Sequence, residues 1–266
     1  TANQHDGFCL WPSKYSTHTV RESKWKDGKG DVLKELSEAC KKYGLKFGVY
    51  LSPWDRNHPA YGTPAYNDVF VNMLKEIFTN YGPIWELWWD GANGEGPNGK
   101  KQVYDFARFT RVVRSLSPNT IIFSDIGPDA RWCGNESGHA GETNWNTLDT
   151  AGFKPGAGAP PTDTLNMGNK FGKVWIPAEC DVSIRPGWFY HKEEDSLVKS
   201  PEQLFEIYLK SVGRGANLIL NVPPDRHGLI TQYDSASLMG FKELRLQSFA
   251  NDLSKNGRQY FIYNKK

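Results

Sequence analysis

The sequence has few cysteines, and their positions exclude the common cysteine-based sites. Four cysteines occur in 266 residues, and no two of them are separated by only two residues. Neither a zinc site nor a redox pair of the CxxC type is therefore expected. The six histidines show no HExxH pattern and no other paired spacing typical of metal ligands. The sequence accordingly predicts no metal and no cofactor.

The chain also lacks an excess of charge and a long apolar run. Its formal net charge is +2, so neither nucleic acid nor an anionic membrane surface is indicated as a partner. No apolar stretch reaches the roughly 18 residues typical of a membrane-spanning helix, and no signal peptide is recognisable. Membrane insertion is therefore not expected, and the oligomeric state stays open.

Aromatic residues, by contrast, are abundant. The chain contains 10 tryptophans, and 14% of its residues are aromatic. Carbohydrate sites use flat aromatic faces as walls, so this composition is compatible with a sugar ligand, although a tryptophan-rich core is the ordinary alternative.

Segments with helical spacing of apolar residues alternate with short apolar runs typical of buried strands. Predicted helices cover residues 31–42, 68–80, 102–116, 201–212 and 235–248. Predicted strands cover residues 46–51, 84–90, 120–123, 174–179 and 217–222. The polar segment 126–171, rich in Gly, Pro, Asn and Thr, is predicted to be a functional insert without regular structure.

The alternation of strands and helices predicts an α/β fold with a parallel sheet and right-handed crossovers. The predicted strands are too few for a closed (β/α)8, TIM-like barrel. Residues 1–8 look like a loop that follows a strand, so we expect the first strand or strands of the barrel to be absent from this chain. Residues 1–250 would form one incomplete barrel domain, followed by a polar tail over residues 251–266.

The most informative stretch is ELWWDG, residues 86–91. Its apolar run predicts a strand buried on both faces that ends in a carboxylate followed by glycine. Catalytic groups of barrel enzymes stand at the carboxyl ends of strands, so Asp90 is a candidate nucleophile and Trp88 a candidate wall for a sugar-like ligand. A single aspartate is more often a helix cap or loop residue. The acidic residues at the other predicted strand ends favour a catalytic site over this alternative.

Further acidic residues follow the predicted strand ends: Asp55, Asp125, Glu136, Glu142, Glu179 and Asp181. A glycosidase needs two carboxyl groups across one bond, about 5–5.5 Å apart in retaining enzymes. Glu136 lies in a loop, WCGNESG, that could give a general acid an apolar setting. Glu142 and Glu179 are alternatives. For any one glutamate, a solvated loop or a structural ion pair is the more frequent role.

Three other features have both functional and ordinary explanations. His5 precedes Asp6 and Gly7, which would allow the imidazole to approach a ligand hydroxyl, although a single histidine is more often structural. Arg185 and Trp188 offer a cation and an aromatic face, or belong to a surface loop. Residues 94–101 match GxxxxGK of a phosphate-binding loop, but Lys101 replaces the required Ser or Thr, so we interpret the segment as a turn.

Four long motifs carry a family resemblance: HDGFCLWPSKYS (5–16), GVYLSPWDRN (48–57), ELWWDG (86–91) and NLILNVPPDRHGLI (217–230). They resemble the α-L-fucosidases of glycoside hydrolase family 29 over nearly the whole chain. Two more motifs, RWCGNESG (131–138) and WIPAECDVSIRPGWFYH (175–191), are similar to those of the branch that acts on α-1,3 and α-1,4 linked fucose.

The resemblance implies a retaining exo-glycosidase that removes terminal α-L-fucose from branched oligosaccharides or glycoconjugates by double displacement. Asp90 would be the nucleophile and Glu136 the acid/base, with Glu179 as the alternative. The implied substrate-binding residues are Gln4, His5, Tyr50, Trp54, Asp55, Trp88, Arg185 and Trp188. A secreted or periplasmic location and a fucosylated oligosaccharide as partner are also implied. A non-catalytic carbohydrate-binding barrel is the competing hypothesis.

The chain departs from the family pattern in two respects. Gln4 stands where the family usually has the first of two histidines, so we expect altered recognition of a fucose hydroxyl. The first strand, whose histidine holds fucose in relatives, and the carboxy-terminal β-sandwich are expected to be absent. The tail over residues 251–266 would lead towards that β-domain.

Overall fold

The computed structural model describes residues 1–252, 254–255 and 257–258. These residues contain the following strands: β1 (Val49–Leu51), β2 (Glu86–Trp89), β3 (Ile121–Ser124), β4 (Ala130–Trp132), β5 (Thr147–Leu148), β6 (Val174–Trp175), β7 (Ala178–Ser183) and β8 (Asn217–Asn221). Six of them form one parallel sheet in the order β1-β2-β3-β4-β7-β8. Strands β5 and β6 form a separate antiparallel pair.

Helices connect most of the strands: α1 (Val32–Lys42), α2 (Ala65–Asn80), α3 (Phe106–Leu116), α4 (Thr162–Met167), α5 (Pro201–Ser211) and α6 (Gln232–Ser248). Side chains cap the amino termini of several helices, since Asp31 accepts from the amide of Lys34 and Thr231 from that of Asp234. Such caps satisfy amides that have no partner inside the helix, and they fix where each helix begins.

The sheet is curled and open. In the described part of the chain no strand lies between β8 and β1, and only Asn3 adds a single parallel bridge to Leu51 on the outer side of β1. The prediction of an α/β fold with a barrel-type parallel sheet is therefore confirmed.

Strand β2 shows how the two faces of the sheet differ. Leu87 and Trp89 are buried on the outer face, where they join the core with Phe109 of α3 and Leu74 of α2. Trp88 points to the opposite face and is only partly buried. The prediction that this strand is buried on both faces is thus wrong, because its inner face borders a cavity.

The segment 126–171 has regular structure, whereas the sequence predicted an insert without it. It contains β4, β5 and α4. Strand β4 carries Arg131, which is fully buried and donates to the carbonyls of Leu165 and Trp145. A charged residue at a buried strand position hides the strand from hydropathy patterns.

The predicted strand 174–179 is divided into two. Residues Val174–Trp175 pair with β5, whereas β7 begins at Ala178 and continues to Ser183. Pro177 lies between them and has no amide to donate to a ladder. As a result Glu179 is the second residue of its strand rather than the last.

Other boundaries shift by a few residues. Helix α2 begins before residue 68, and α3 begins only at Phe106 because the carboxylate of Asp105 caps it. The predicted tail, residues 251–266, lies largely outside the described residues. Of the helices that are described, none combines the length and apolarity required to cross a membrane.

Candidate active site

The inner face of the sheet encloses a cavity of about 540 Å³ at the carboxyl ends of β1, β2, β7 and β8. The side chains that reach it include Gln4, His5, Tyr50, Glu86, Trp88, Asp90, Glu136, Asp181, Trp188, Phe189 and Asn221. A larger cleft, of about 680 Å³, lies on the outer side beside α3 and has a single carboxylate, the helix cap Asp105. Of these two cavities, the inner one is therefore the one with clustered carboxyl groups.

Asp90 follows β2 directly, and its carboxylate is held from several sides. Oδ1 accepts from the amide of Ala92 at 2.7 Å, and Oδ2 accepts from the Tyr50 hydroxyl at 2.7 Å. Nε2 of His5 lies 3.6 Å from Oδ2. Gly91 is required next to it, because any side chain there would collide with the carboxylate of Asp125. Asp90 is thus fixed in orientation and still partly exposed to the cavity.

Tyr50 and Trp88 form one wall of the cavity. Cross-strand pairing aligns Tyr50, Trp88 and Phe123 on neighbouring strands, with ring centroids 5.3 Å and 4.1 Å apart. Burial, and then the charge of Asp90, raise the pKa of Tyr50 above its ordinary value. The phenol therefore stays protonated and donates to Asp90. The Tyr50 hydroxyl also lies 2.5 Å from the side-chain oxygen Oε1 of Gln4, which occupies the position of the expected histidine.

His5 presents an unprotonated nitrogen to the cavity. The Ser52 hydroxyl donates to the Trp54 carbonyl at 2.8 Å, so its oxygen accepts from Nδ1 of His5, also at 2.8 Å. Burial is the main cause that lowers the pKa of His5, and the charge of Asp90 opposes it. The ring packs against Trp54 in a tilted arrangement, with centroids 4.7 Å apart. In this neutral form Nε2 can accept a hydrogen bond from a ligand hydroxyl.

Glu136 reaches the same cavity from the loop after β4. The Asn135 side chain organises that loop: its amide donates to the His139 carbonyl at 2.8 Å, and its oxygen accepts from the Ser137 amide at 3.1 Å. An antiparallel bridge joins Ser137 to Val182 of β7. The Glu136 side chain is exposed, so the apolar setting expected from the sequence is not found.

Glu179, the alternative acid, lies deeper inside the sheet. It is 4% exposed, faces Glu86 of β2 and does not line the cavity. Burial, and then the charge of Glu86, raise the pKa of Glu179 to about 9. The carboxyl group is therefore neutral near pH 7, and the acidic side chain beside it is Glu86. This position follows from the start of β7 at Ala178.

Asp55 and Arg185, which the resemblance implied as substrate-binding residues, do not line the inner cavity. Both are 1% exposed. Asp55 accepts from the amides of Asn57 and His58 and from the hydroxyl of Tyr66, and so holds a turn. Arg185 forms buried ion pairs, at 2.8 Å with Asp234 and at 2.9 Å with Asp195. Burial forces each charged group to find partners within the protein.

The structure brings two further carboxyl groups to the inner face, Glu86 and Asp181. Asp181 was named from the sequence only as one of several acids, and Glu86 was not considered. The available signal was the strand period of two, which places Glu86, Trp88 and Asp90 on one face. Phe189 and Asn221 also line the cavity. The sequence signal for Asn221 was its place at the end of strand β8.

The segment 94–101 forms a turn, as interpreted from the sequence. Glu95 and Lys101 pair in an antiparallel bridge, and the amide of Gly96 donates to the Lys100 carbonyl at 3.0 Å. No group of three or more His, Cys, Asp or Glu side chains suited to a metal occurs in the residues that the structure covers.

Comparison with known proteins assigns the family. The α-L-fucosidase family model matches residues 1–243. α-L-Fucosidase 1 of Arabidopsis thaliana is 45% identical over 96% of this chain, which spans 49% of that protein. A glycoside hydrolase 29 family member from an unknown rumen bacterium is 44% identical, with a TM-score of 0.89, over 98% of this chain and 48% of the other. The chain thus spans about half the length of these relatives.

A more distant structure adds a ligand to the comparison. The Ruminococcus gnavus glycoside hydrolase 29 fucosidase, solved in complex with fucose, is 31% identical with a TM-score of 0.83, over 96% of this chain and 55% of that protein. The match of the family model to nearly the entire chain, together with these identities, shows that the chain belongs to the α-L-fucosidases of glycoside hydrolase family 29.

Proposed function

We propose that the protein is a retaining exo-α-L-fucosidase that hydrolyses terminal α-1,3 or α-1,4 linked fucose from branched oligosaccharides or glycoconjugates. One observation carries this proposal. In a chain of the α-L-fucosidase family, Asp90 at a strand end and Glu136 on a loop reach the same cavity. Glycoside hydrolysis requires two carboxyl groups in one pocket. A member of the family has been solved with fucose bound, which supports the ligand class.

In the first step Asp90 acts as the nucleophile. Its free carboxylate electron pair attacks the anomeric carbon, and the bond from that carbon to the glycosidic oxygen breaks as the fucosyl ester forms. Glu136 transfers its proton to the departing oxygen. The hydrogen bonds from Tyr50 and Ala92 hold the carboxylate in one orientation, so little freedom has to be lost before attack.

In the second step Glu136, now ionised, accepts a proton from a water molecule. The water oxygen attacks the anomeric carbon, the ester bond breaks, and Asp90 is regenerated as a carboxylate. Two inversions give fucose with the original anomeric configuration. The exposed loop position of Glu136 suits this role, because the group must meet leaving groups and water in turn. Glu179, buried beside Glu86, meets neither.

The linkage preference rests on the loop after β7. Trp188 and Phe189 line the cavity, and they belong to the motif similar to the α-1,3/1,4 branch. Aromatic faces at a cavity rim suit the sugar rings that remain after fucose leaves. A secreted or periplasmic location stays a prediction from the resemblance.

The roles can be tested with Asp90→Asn and Glu136→Ala in the whole protein. We expect Asp90→Asn to lose turnover of 4-nitrophenyl α-L-fucoside by several orders of magnitude with unchanged thermal unfolding, because the covalent step is lost. Asp163→Asn, an exposed aspartate in α4, serves as the control. Near-normal rates in Asp90→Asn would refute the assignment. Binding of a fucosylated trisaccharide without release of fucose by the unmodified protein would support the non-catalytic barrel instead.

A separate experiment tests the assignment of Glu136 as the acid/base. Glu136→Ala should hydrolyse the trisaccharide far more slowly than the nitrophenyl fucoside, whose leaving group needs no proton. Added azide should restore turnover and give an α-fucosyl azide, since it attacks the same intermediate from the side of the lost carboxylate. Azide rescue in Glu179→Ala, and none in Glu136→Ala, would exchange the two roles.

A further inference from the structure

The loop that carries Glu136 runs from Cys133 to His139, and two asparagine amides join its ends. Nδ2 of Asn135, inside the loop, donates to the carbonyl of Cys133 at 3.3 Å and to that of His139 at 2.8 Å. Nδ2 of Asn166, in α4, donates to the same two carbonyls at 2.9 Å and 2.8 Å. An amide nitrogen has two hydrogens to donate, so each asparagine spans both ends of the loop.

The side-chain oxygen of Asn135 orders the tip of the same loop. It accepts from the amide of Ser137 at 3.1 Å, from the hydroxyl of Ser137 at 2.6 Å and from the amide of His139 at 3.3 Å. Asparagine side chains that bond to nearby backbone groups in this way fix turns. Glu136 lies inside the turn that these bonds close, so the backbone on both sides of it is held by one side chain.

Contacts with α4 and β7 anchor the loop from outside. Gly134 has a φ of +81°, and a Cβ there would lie 2.5 Å from the carbonyl oxygen of Thr162, the first residue of α4. This close approach brings Asn166 within reach of the loop. On the other side, Ser137 forms an antiparallel bridge with Val182 of β7. The loop is therefore attached both to the parallel sheet and to the segment that leaves it between β4 and β7.

The Glu136 side chain depends on this backbone for its position. It is exposed, so core packing does not hold it, whereas the Tyr50 hydroxyl and the amide of Ala92 restrain the carboxylate of Asp90. Catalysis falls steeply when a reacting group is displaced, by about 100-fold for a shift of about 1 Å. The groups that fix the loop are therefore expected to affect the rate, even though neither Asn135 nor Asn166 lines the cavity.

We propose that Asn135 and Asn166 are positioning residues for Glu136. By joining the two ends of its loop, their amides set the place from which the carboxyl group meets first the glycosidic oxygen and then the attacking water. Asn135 acts from inside the loop and Asn166 from α4, so the segment between β4 and β7 supports the acid/base from outside the sheet. This inference rests on the proposed function.

The test compares kcat/KM for a fucosylated trisaccharide with kcat/KM for 4-nitrophenyl α-L-fucoside in Asn135→Ala and Asn166→Ala of the whole protein. The trisaccharide needs a well-placed proton donor, whereas nitrophenolate leaves without one. We expect the trisaccharide value to fall about 10- to 100-fold in Asn135→Ala. In Asn166→Ala it should fall about 3- to 10-fold, because the other amide still joins the loop ends. The value for the nitrophenyl fucoside should change by less than about twofold.

The second step of the reaction gives a separate readout. A displaced Glu136 is also a poor base towards water, so the fucosyl ester on Asp90 should accumulate in Asn135→Ala. Rapid mixing with the nitrophenyl fucoside is then expected to give a burst of nitrophenolate followed by slower turnover. A general loosening of the fold would instead slow both phases and both substrates together.

The matched control is Asn67→Ala. The Asn67 amide also donates to a backbone carbonyl, that of Val103 at 3.0 Å, and its oxygen accepts from the amide of Asp105 at 3.2 Å, but none of these residues lines the inner cavity. Both kinetic values should equal those of the unmodified protein. If Asn135→Ala does not fold, Ser137→Ala replaces it. This variant removes only the hydroxyl bond to Asn135, on an exposed residue, and should lower the trisaccharide value alone, by about threefold.

Equal losses for the two substrates, or unchanged values for both, in the asparagine variants would overturn the inference while leaving the proposed function intact. A selective loss confined to Asn135→Ala would overturn the role of Asn166. If the unmodified protein hydrolyses neither substrate, the proposed function fails and this inference fails with it.

Discussion

Asp90 receives its hydrogen bonds from two different sources, a backbone amide and the phenol of Tyr50. Only the second can be removed by substitution. Hydrogen bonds to charged groups contribute about 1.5–3 kcal/mol, more than bonds between neutral groups. Tyr50 is therefore the residue through which the orientation and basicity of Asp90 can be examined without changing Asp90 itself.

Tyr50→Phe is expected to lower kcat for the nitrophenyl fucoside by about 10- to 100-fold, because loss of one charge-assisted hydrogen bond leaves the attacking carboxylate less well oriented. The ring stacked on Trp88 is retained, so KM should change little. Steady-state kinetics of the whole protein measure both values. Tyr81→Phe is the control, since that hydroxyl also donates to a carboxylate, of Asp31 at 3.0 Å, outside the cavity. Equal kinetic losses in both variants would argue against a specific role of Tyr50.

At the scale of elements, the loop after β7 carries part of the cavity wall and is anchored from behind. Arg185 joins this loop to Asp234 at the start of α6. The Asn221 amide at the end of β8 donates to the carbonyl of Trp188 at 2.9 Å. Arg185 therefore supports the wall through an ion pair, and its loss should be measured first as a loss of stability.

Arg185→Leu is expected to lower the free energy of unfolding by about 3–5 kcal/mol, because it leaves the carboxylate of Asp234 buried without its cation. Denaturant unfolding of the whole protein measures the change. Arg21→Leu removes an exposed ion pair with Glu22 and should cost less than about 1 kcal/mol.

A double variant distinguishes support of the cavity wall by Arg185 from direct contact of Arg185 with the ligand. Arg185→Leu combined with Asp234→Leu should be less destabilised than Arg185→Leu alone, since the fully buried carboxylate is removed and only Asp195, which is 20% exposed, loses its partner. Normal stability together with a raised KM in the single variant would show instead that Arg185 contacts the substrate.

At the scale of the whole molecule, the inner face of the sheet concentrates carboxyl groups whose pKa burial raises. The pKa of Glu179 is raised to about 9, first by burial and then by Glu86. The folded protein therefore keeps a proton that the unfolded chain releases above its ordinary value of 4.5. By linkage, this carboxyl lowers stability progressively as pH rises between these two values.

Glu179→Gln should remove that contribution, because an amide is neutral at every pH and has nearly the same shape. The free energy of unfolding is expected to fall less steeply between pH 5 and pH 9 than in the unmodified protein, as followed by denaturant unfolding at several pH values. Glu206→Gln serves as the control, since Lys210 lowers the pKa of Glu206 and the sign of its contribution is opposite. Parallel pH profiles for Glu179→Gln and the unmodified protein would contradict the expected proton on Glu179.

Some features of the fold could be predicted from the sequence and others could not. Periodicity and capping residues located α1, α2, α5 and most of the sheet strands, because both signals are local. Strand β4 was missed because its middle residue, Arg131, satisfies its charge with carbonyls contributed by residues more than 10 positions away in the chain. The division of strand 174–179 was missed although Pro177 was a visible signal.

The amino-acid sequence by itself determined the alternation of strands and helices, the place of Asp90 at a strand end and the motifs that indicate the family. Only the tertiary structure decided which acids meet, because the register of strands far apart in sequence sets the depth of each side chain in the sheet. That register brings Glu136 and Asp181 to the cavity of Asp90 and buries Glu179 beside Glu86. Burial likewise placed Arg185 in an ion pair that the sequence did not predict, since a buried cation is stable only with its partners.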